Sequence, residues 1–192
     1  MIQSSKKHAL RVFCYHAPLV YTFQYMNKKY TKADVFEFLQ EHFIMELATA
    51  SAASKPAASV MLYAIDSKMH FYCVTHEESQ KAKNMTENSQ VSMTVWEHQK
   101  MMVQVDGVAE KVKDEARQSE IADMLADAAA RDPLFWPPIF YIKGGDYVVF
   151  HIIPTWMRAL DLTQNTVQRA DEPFTTIDIE TIGNVDIKQQ NI

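Results

Sequence analysis

The chain has 192 residues, 47% of them hydrophobic, and a formal net charge of −5. This length suits one domain with a sizeable core, and the composition is too apolar for a disordered chain. The negative charge argues against a broad nucleic-acid interface. No apolar run approaches the roughly 18 residues that span a bilayer, and the first residues make a poor signal peptide. We therefore expect a cytoplasmic protein with no nucleic-acid or membrane partner.

The ends of the chain differ from its middle. Residues 1–30 show no clean hydrophobic period, and we interpret them as an N-terminal extension outside the core. Two interpretations of residues 1–25 stay open: an upstream extension before a natural start at Met26, or a strand near 19–24 that packs on the core. We expect one core domain over residues 31–163 and a polar tail over residues 164–192, which loses the period and is mobile or packed on a partner.

Three helices are predicted. Thr31 and Asp34 have the spacing of a capping box, so a helix begins at Thr31, and we expect it to plug one end of a barrel. A short helix follows over Glu78–Glu87. A third, over Asp114–Arg131, places apolar residues at i, i+3, i+4 and i+7 from Ile121.

The rest of the core reads as strands joined by short turns. The predicted strands are Ile44–Ala50, Ala57–Ile65, Met69–Thr75, Gln90–Trp96, Met101–Lys113, Asp146–Ile153 and Thr155–Leu162. We expect Gly107 to mark a bulge or a sharp bend, and Pro154 to hinge the last two strands. Short connections favour antiparallel pairing, and closure removes the sheet edges. The prediction is a mainly β fold, a six- to seven-stranded antiparallel barrel with a few helices.

The chemistry-bearing motifs are few. The sequence has no GxGxxG, P-loop, HExxH or GxSxG motif, and only four glycines. A phosphate would therefore be held by side chains and a helix N-terminus. Ser79 and Lys81 stand where the second helix begins and could do this, although a solvated basic helix face with an ordinary serine cap explains them equally. The histidines and two cysteines have no metal-ligand spacing, so no metal is expected. No catalytic acid, base or nucleophile stands out.

Several segments together resemble one known family. They are Ala57–Tyr63, Phe71–Thr75, Ser79–Ala82, Asn88–Met93 and Val103–Val112. In order and spacing they are similar to the flavin-binding core of the pyridoxamine 5'-phosphate oxidase-like split barrels, in the general stress protein-like branch. The resemblance implies an FMN-binding split barrel that forms a homodimer, with FMN in clefts between the subunits and a small-molecule substrate.

The resemblance also implies a set of cofactor-binding residues. Ser79, Gln80 and Lys81 fall in the segment that grips the FMN phosphate, and Thr75 matches a threonine at the end of the third strand. The flavin would be lined by Ser59, Val60, Met61, Val74 and Thr75, and Trp156 and Arg158 would come from the other subunit. Ser59 stands where many relatives have an arginine, and Met102 where many have a glutamine.

The resemblance implies an FMN-binding flavoprotein, an oxidoreductase whose substrate the sequence does not specify. Two alternatives remain. One is a barrel that binds haem or a deazaflavin without turnover, with His70, His76 or His151 as candidate haem ligands. The other is a cofactor-free, stress-related dimer.

Overall fold

The computed structural model describes residues 29–131, 146–163 and 174–179, and every structural statement below concerns these residues. Residues 1–28, and most of the predicted polar tail, lie outside them. The elements in chain order are α1 (Lys32–Glu41), β1 (Ile44–Ala50), β2 (Pro56–Leu62), β3 (Ala64–Ile65), β4 (Phe71–His76), α2 (Gln80–Glu87), β5 (Gln90–Glu97), β6 (Met101–Lys111), α3 (Glu115–Ala129), β7 (Tyr147–Asp161) and β8 (Phe174–Thr176). None of the described helices is long and apolar enough to cross a membrane.

The strands form one antiparallel sheet that curls into a barrel. The strand order is β2-β1-β5-β6-β7-β4-β3, and β8 pairs with β7. β2 and β3 are two parts of one bent strand separated by Tyr63, so the strand that pairs with β1 at one edge pairs with β4 at the other. The predicted mainly β antiparallel barrel is confirmed.

The helices cover the two ends and one flank of this barrel. Val35, Phe38 and Leu39 of α1 join the core cluster inside the barrel, and so do Ala82 and Met85 of α2. α3 lies outside, where its apolar side packs on a second cluster; that cluster comprises Leu62, Ala64, Tyr72, Ile121, Leu125, Ala128 and Val149. The outer face of β2, β1, β5, β6 and the second half of β7 has no such cluster among the described residues.

The predicted start of α1 is confirmed in its capping geometry. The Thr31 hydroxyl accepts a hydrogen bond from the Asp34 amide at 3.1 Å, and the Thr31 amide donates to the Asp34 carboxylate at 2.7 Å. The two bonds satisfy donors that a helix N-terminus leaves free. α2 begins two residues later than predicted, because Ser79 and not Glu78 closes the cap.

Gly107 lies at a bulge, as predicted, but Pro154 is not a hinge. The register of β6 against β7 shifts between Asp106 and Gly107, and a Cβ at position 107 would lie 2.8 Å from the Ile153 carbonyl oxygen. β7 continues through Pro154 as one strand. Pro154 pairs with Gly107 at the bulge, where the ladder is already interrupted, so its missing N–H is tolerated.

A short strand also lies in the predicted polar tail. Phe174–Thr176 pairs with Arg158–Leu160 of β7, and Ile177 is buried in the core. Three residues of strand are too few to produce a recognisable alternation, which explains why the sequence pattern contained no signal for β8.

Candidate functional site

The barrel has a gap between β2 and β4, which we call the seam. Within the described residues β2 pairs only with β1, and β4 pairs with β3 only through Phe71 and Tyr72. Beyond Tyr72, β2 and β4 lie side by side without pairing, and α2 packs on β1 and β2 at that end of the gap. Because neither strand edge is paired there, backbone donors and acceptors remain available to a ligand.

The N-terminus of α2 opens at the seam. The Ser79 hydroxyl accepts a hydrogen bond from the Ala82 amide at 3.2 Å and lies 3.1 Å from the Thr75 hydroxyl oxygen. The amides of Gln80 and Lys81 belong to the first helical turn and have no acceptor within the helix. Two hydroxyls and two free amides, with the positive end of the helix dipole, form a place where an anion is favoured.

Lys81 adds a full positive charge at this point. The side chain is half-buried, and within the described part of the chain its ammonium makes no hydrogen bond or ion pair. Lys81 lies close enough to Cys73 to act on the pKa of that thiol. Burial dominates there and raises the pKa of Cys73 to about 12, while the nearby ammonium lowers it in part.

A buried asparagine anchors α2 to the barrel. The side-chain amide of Asn84 donates through Nδ2 to the Thr49 hydroxyl at 3.0 Å. Its Oδ1 accepts from the side-chain Nε2 of Gln80 at 2.8 Å. Asn84 and Thr49 are 1% and 4% exposed. The sequence reasoning missed Asn84, because an asparagine in a polar helix gives no sign of a partner 35 residues away.

The predicted flavin-lining residues do not share one face. Met61 is buried in the barrel core, and Ser59, half-buried, stands opposite Leu47 on the same side of the sheet. Val60 points outward and is 62% exposed. Val74 packs against the cluster under α3, whereas Thr75 turns the other way, toward Ser79. The structure therefore brings Thr75, Ser79 and Lys81 together and places Val74 elsewhere.

Trp156 and Arg158 lie far from α2 within one chain. Thr75 of β4 pairs with Val148 of β7. Trp156 lies further along β7, roughly 25 Å from Val148 at about 3.3 Å per residue. The Arg158 guanidinium donates to the Gln104 side chain at 2.7 Å and lies over the rings of Trp156 and Phe174. Within one subunit this pair therefore lies far along β7 from the N-terminus of α2.

Both residues belong to the uncovered outer face of the sheet. Two rows of neighbouring side chains cross it, Val60-Glu46-Thr94-Gln104-Arg158 and Ala58-Ala48-Ser92-Asp106-Trp156. Trp96 lies on the same face, 51% exposed, with its indole N–H donated to Glu46. The two rows mix polar side chains with small ones, and the exposed large hydrophobic residues Val60, Trp96 and Trp156 stand among them. Exposed apolar side chains grouped on one uncovered sheet face are typical of an interaction surface.

The histidines are not arranged as a metal site. Within the described ranges no group of three histidine, cysteine or acidic side chains could hold a metal ion. His70 and His151 bond to one another at 3.0 Å, and the Nδ1 of His76 accepts from the Glu78 amide at 3.2 Å.

A curled antiparallel barrel that is split along one seam is the architecture of the split-barrel class. The family model for pyridoxamine 5'-phosphate oxidase matches residues 31–161, and the chain belongs to that family. No curated protein matches this chain.

Solved structures share this fold at low identity. A conserved hypothetical protein from Mycobacterium tuberculosis has a TM-score of 0.60 at 19% identity, covering 75% of this chain and 96% of its own. An FAD-binding protein from Mesorhizobium loti has a TM-score of 0.54 at 19% identity, with 69% and 93% covered. The haem storage protein of Vibrio cholerae has a TM-score of 0.50 at 21% identity, with 64% and 89% covered. At these identities the likeness concerns the fold, and the relatives bind different groups.

Proposed function

We propose that this chain is an FMN-binding flavoprotein and an oxidoreductase acting on a small molecule. The observation that carries the proposal is the pair of Thr75 and Ser79 hydroxyls, 3.1 Å apart at the N-terminus of α2, with the half-buried Lys81 in the first turn of that helix. It lies inside the segment that the family model covers, and a solved relative of the same fold is an FAD-binding protein.

The donor set fits the phosphate of FMN. A phosphate monoester has three acceptor oxygens and about two negative charges, which two hydroxyls, two free backbone amides and one ammonium can satisfy. FMN would supply the electron-transfer chemistry, and the protein would supply binding, orientation and exclusion of water. Ser59 and the unpaired edge of β2 would lie along the remainder of the cofactor, on the other side of the seam.

We further propose a homodimer that uses the uncovered outer face, with the cofactor at the subunit interface. Val60 lies on β2, at the edge of both the seam and the outer face, so a partner packed on that face would approach the seam. Trp156 and Arg158 lie on the same face, too far from the seam in their own chain. A two-fold interface would let these residues of one subunit approach the seam of the other.

The test is FMN titration of wild type and two lysine variants. We expect Lys81→Ala to weaken FMN binding roughly 10- to 150-fold, the value of one charge-assisted hydrogen bond of about 1.5–3 kcal/mol. Lys83→Ala is the matched control, since Lys83 is exposed on the same helix and alanine preserves helix propensity. Flavin fluorescence and thermal stabilisation report binding, and equal losses in the two variants would remove the proposed phosphate site.

A second candidate is a haem-binding barrel without turnover. It is favoured by the likeness to the haem storage protein and by His76, whose Nδ1 accepts from the Glu78 amide and whose Nε2 has no partner among the described residues. Haemin titration would show a Soret shift that His76→Ala removes, with the exposed turn residue His98→Ala as control. A Soret response with no flavin response would favour this candidate over FMN.

A further inference from the structure

A polar cleft lies on the outer wall of the barrel, away from the seam. Its volume is about 380 Å³, and it opens between the turn before β4, the end of β6, β7 and the first turn of α3. His70, His151 and Tyr72 form its wall, and Lys68, Lys111 and Arg117 stand around them. None of these residues belongs to the site proposed for FMN.

The wall of the cleft is a connected hydrogen-bond network. The Tyr72 hydroxyl donates to the Asp66 carboxylate at 2.9 Å and accepts from the Arg117 guanidinium at 2.7 Å. The Tyr72 ring stacks on His151 with centroids 4.9 Å apart, and His151 Nε2 lies 3.0 Å from His70 Nδ1. Tyr72 is thus held on both sides, and it fixes the two imidazoles, which we call the histidine pair.

The histidine pair resists a second positive charge. One proton lies between the two facing nitrogens, and a second proton there would break the hydrogen bond and set two cations against each other. Burial, and then the neighbouring His70, hold the pKa of His151 below its usual 6.5. A negative partner would remove this penalty.

Asp66 places a carboxylate oxygen 3.8 Å from His70 Nδ1, and this carboxylate already accepts hydrogen bonds from the Tyr72 hydroxyl and from the backbone amides of Lys68 and His70. The other charges around the pair are only partly balanced. Lys111 is paired with Glu77 at 2.7 Å, and Arg117 is paired with Glu120. Lys68 has no partner among the described side chains, although it lies at the same cleft. The charged and titratable groups that face the pair are Asp66, Lys68, Tyr72, Glu110, Lys111 and Arg117. Histidine is the residue type that normally titrates between pH 5 and 8, and none of these six neighbours is a histidine.

We propose that this cleft binds a small oxyanion, a phosphate, phosphate monoester or carboxylate, at the histidine pair and Lys68, with uptake of a proton by the pair. The anion accepts hydrogen bonds from the imidazolium and the ammonium, and it adds negative charge to that of Asp66 and Glu110 when the pair takes up its second proton. The cleft is of the size that small-molecule sites have, about 300–1,000 Å³. The proposal does not depend on FMN binding.

Proton uptake gives the site a signature that a passive basic surface lacks. Binding coupled to one proton tightens at most tenfold for each unit by which the pH falls. Phosphate itself gains a proton between about pH 7.5 and about pH 6, whereas acetate keeps its single charge. Over this range the affinity for acetate should therefore rise by at least about 5-fold and at most about 30-fold.

The experiment titrates inorganic phosphate into the full chain at constant ionic strength and follows the His70 and His151 ring resonances by NMR. We expect both rings to shift with one dissociation constant for each anion, and the constant for acetate to be tighter at the lower pH. Acetate in place of phosphate distinguishes a carboxylate site from a phosphate site. Rings that do not respond at about pH 6, or an acetate affinity independent of pH, would overturn the proposal.

Two variants and two controls separate the cleft from general charge. Lys68→Gln and His151→Gln should each weaken phosphate binding at least about threefold, the loss of roughly 0.7 kcal/mol. Lys32→Gln, at the start of α1, should change nothing, and Lys81→Ala should leave the ring response intact while removing any binding at the seam. If His151→Gln does not fold, Lys68→Gln decides alone, and equal effects of Lys68→Gln and Lys32→Gln would mean an adventitious ion only.

Discussion

The anchoring of α2 through Asn84 can be tested without any cofactor. Asn84→Ala removes the hydrogen bond to Thr49 and the one from Gln80, and it leaves the Thr49 hydroxyl without this donor in a site only 4% exposed. A buried polar group that loses its partner costs about 1–3 kcal/mol, and the better helix propensity of alanine returns about 0.5. We therefore expect the free energy of unfolding to fall by about 0.5–2.5 kcal/mol.

Urea denaturation followed by circular dichroism measures this change, with Thr86→Ala as the matched control. Thr86 lies on the same helix but is exposed, so its variant should stay within about 0.5 kcal/mol of wild type. Thr49→Val completes a double-mutant cycle, and we expect a coupling of at least about 0.5 kcal/mol with Asn84→Ala. Equal midpoints for Asn84→Ala and Thr86→Ala would refute the reasoning.

Three further predictions follow from the fold. Gly107→Ala should destabilise the chain by about 1–3 kcal/mol, because the new Cβ meets the rigid Ile153 carbonyl at 2.8 Å; a urea midpoint equal to that of Ser92→Ala would contradict this. Since burial lowers the pKa of His151, the unfolded chain binds more protons below 6.5, so stability should fall as the pH drops through that value, and His151→Gln should flatten this dependence in pH-dependent melts. Val60→Lys should convert the proposed dimer to a folded monomer in sedimentation experiments, and an unchanged mass would exclude this face.

The sequence predicted the features that depend on neighbours in the chain. Three such features depend only on a few consecutive residues, and all three are confirmed: the Thr31 cap, the alternation in β5 and the bulge at Gly107. The family resemblance assigned Thr75 and Ser79 to one site, and their hydroxyl oxygens lie 3.1 Å apart.

The features that were missed depend on distant contacts. Pro154 was expected to hinge two strands, because a proline usually interrupts a ladder of hydrogen bonds. In the structure it lies within one strand, because the bulge at Gly107 on the neighbouring strand already interrupts the ladder there. His70 and His151 are 81 residues apart, and Arg117 reaches Tyr72 across 45. No local pattern encodes such pairs, because they arise only when the barrel closes and α3 packs on its wall.

The measurement that tests the central claim most directly is an equilibrium titration of the purified full-length chain with FMN, followed by flavin fluorescence and absorbance. Lys81 and the hydroxyls beside it predict saturable binding at one FMN per chain, weakened by competing inorganic phosphate and by Lys81→Ala. A flavin signal that never saturates, or a wild-type affinity indistinguishable from that of Lys81→Ala, would contradict the assignment of this helix N-terminus as a cofactor phosphate site.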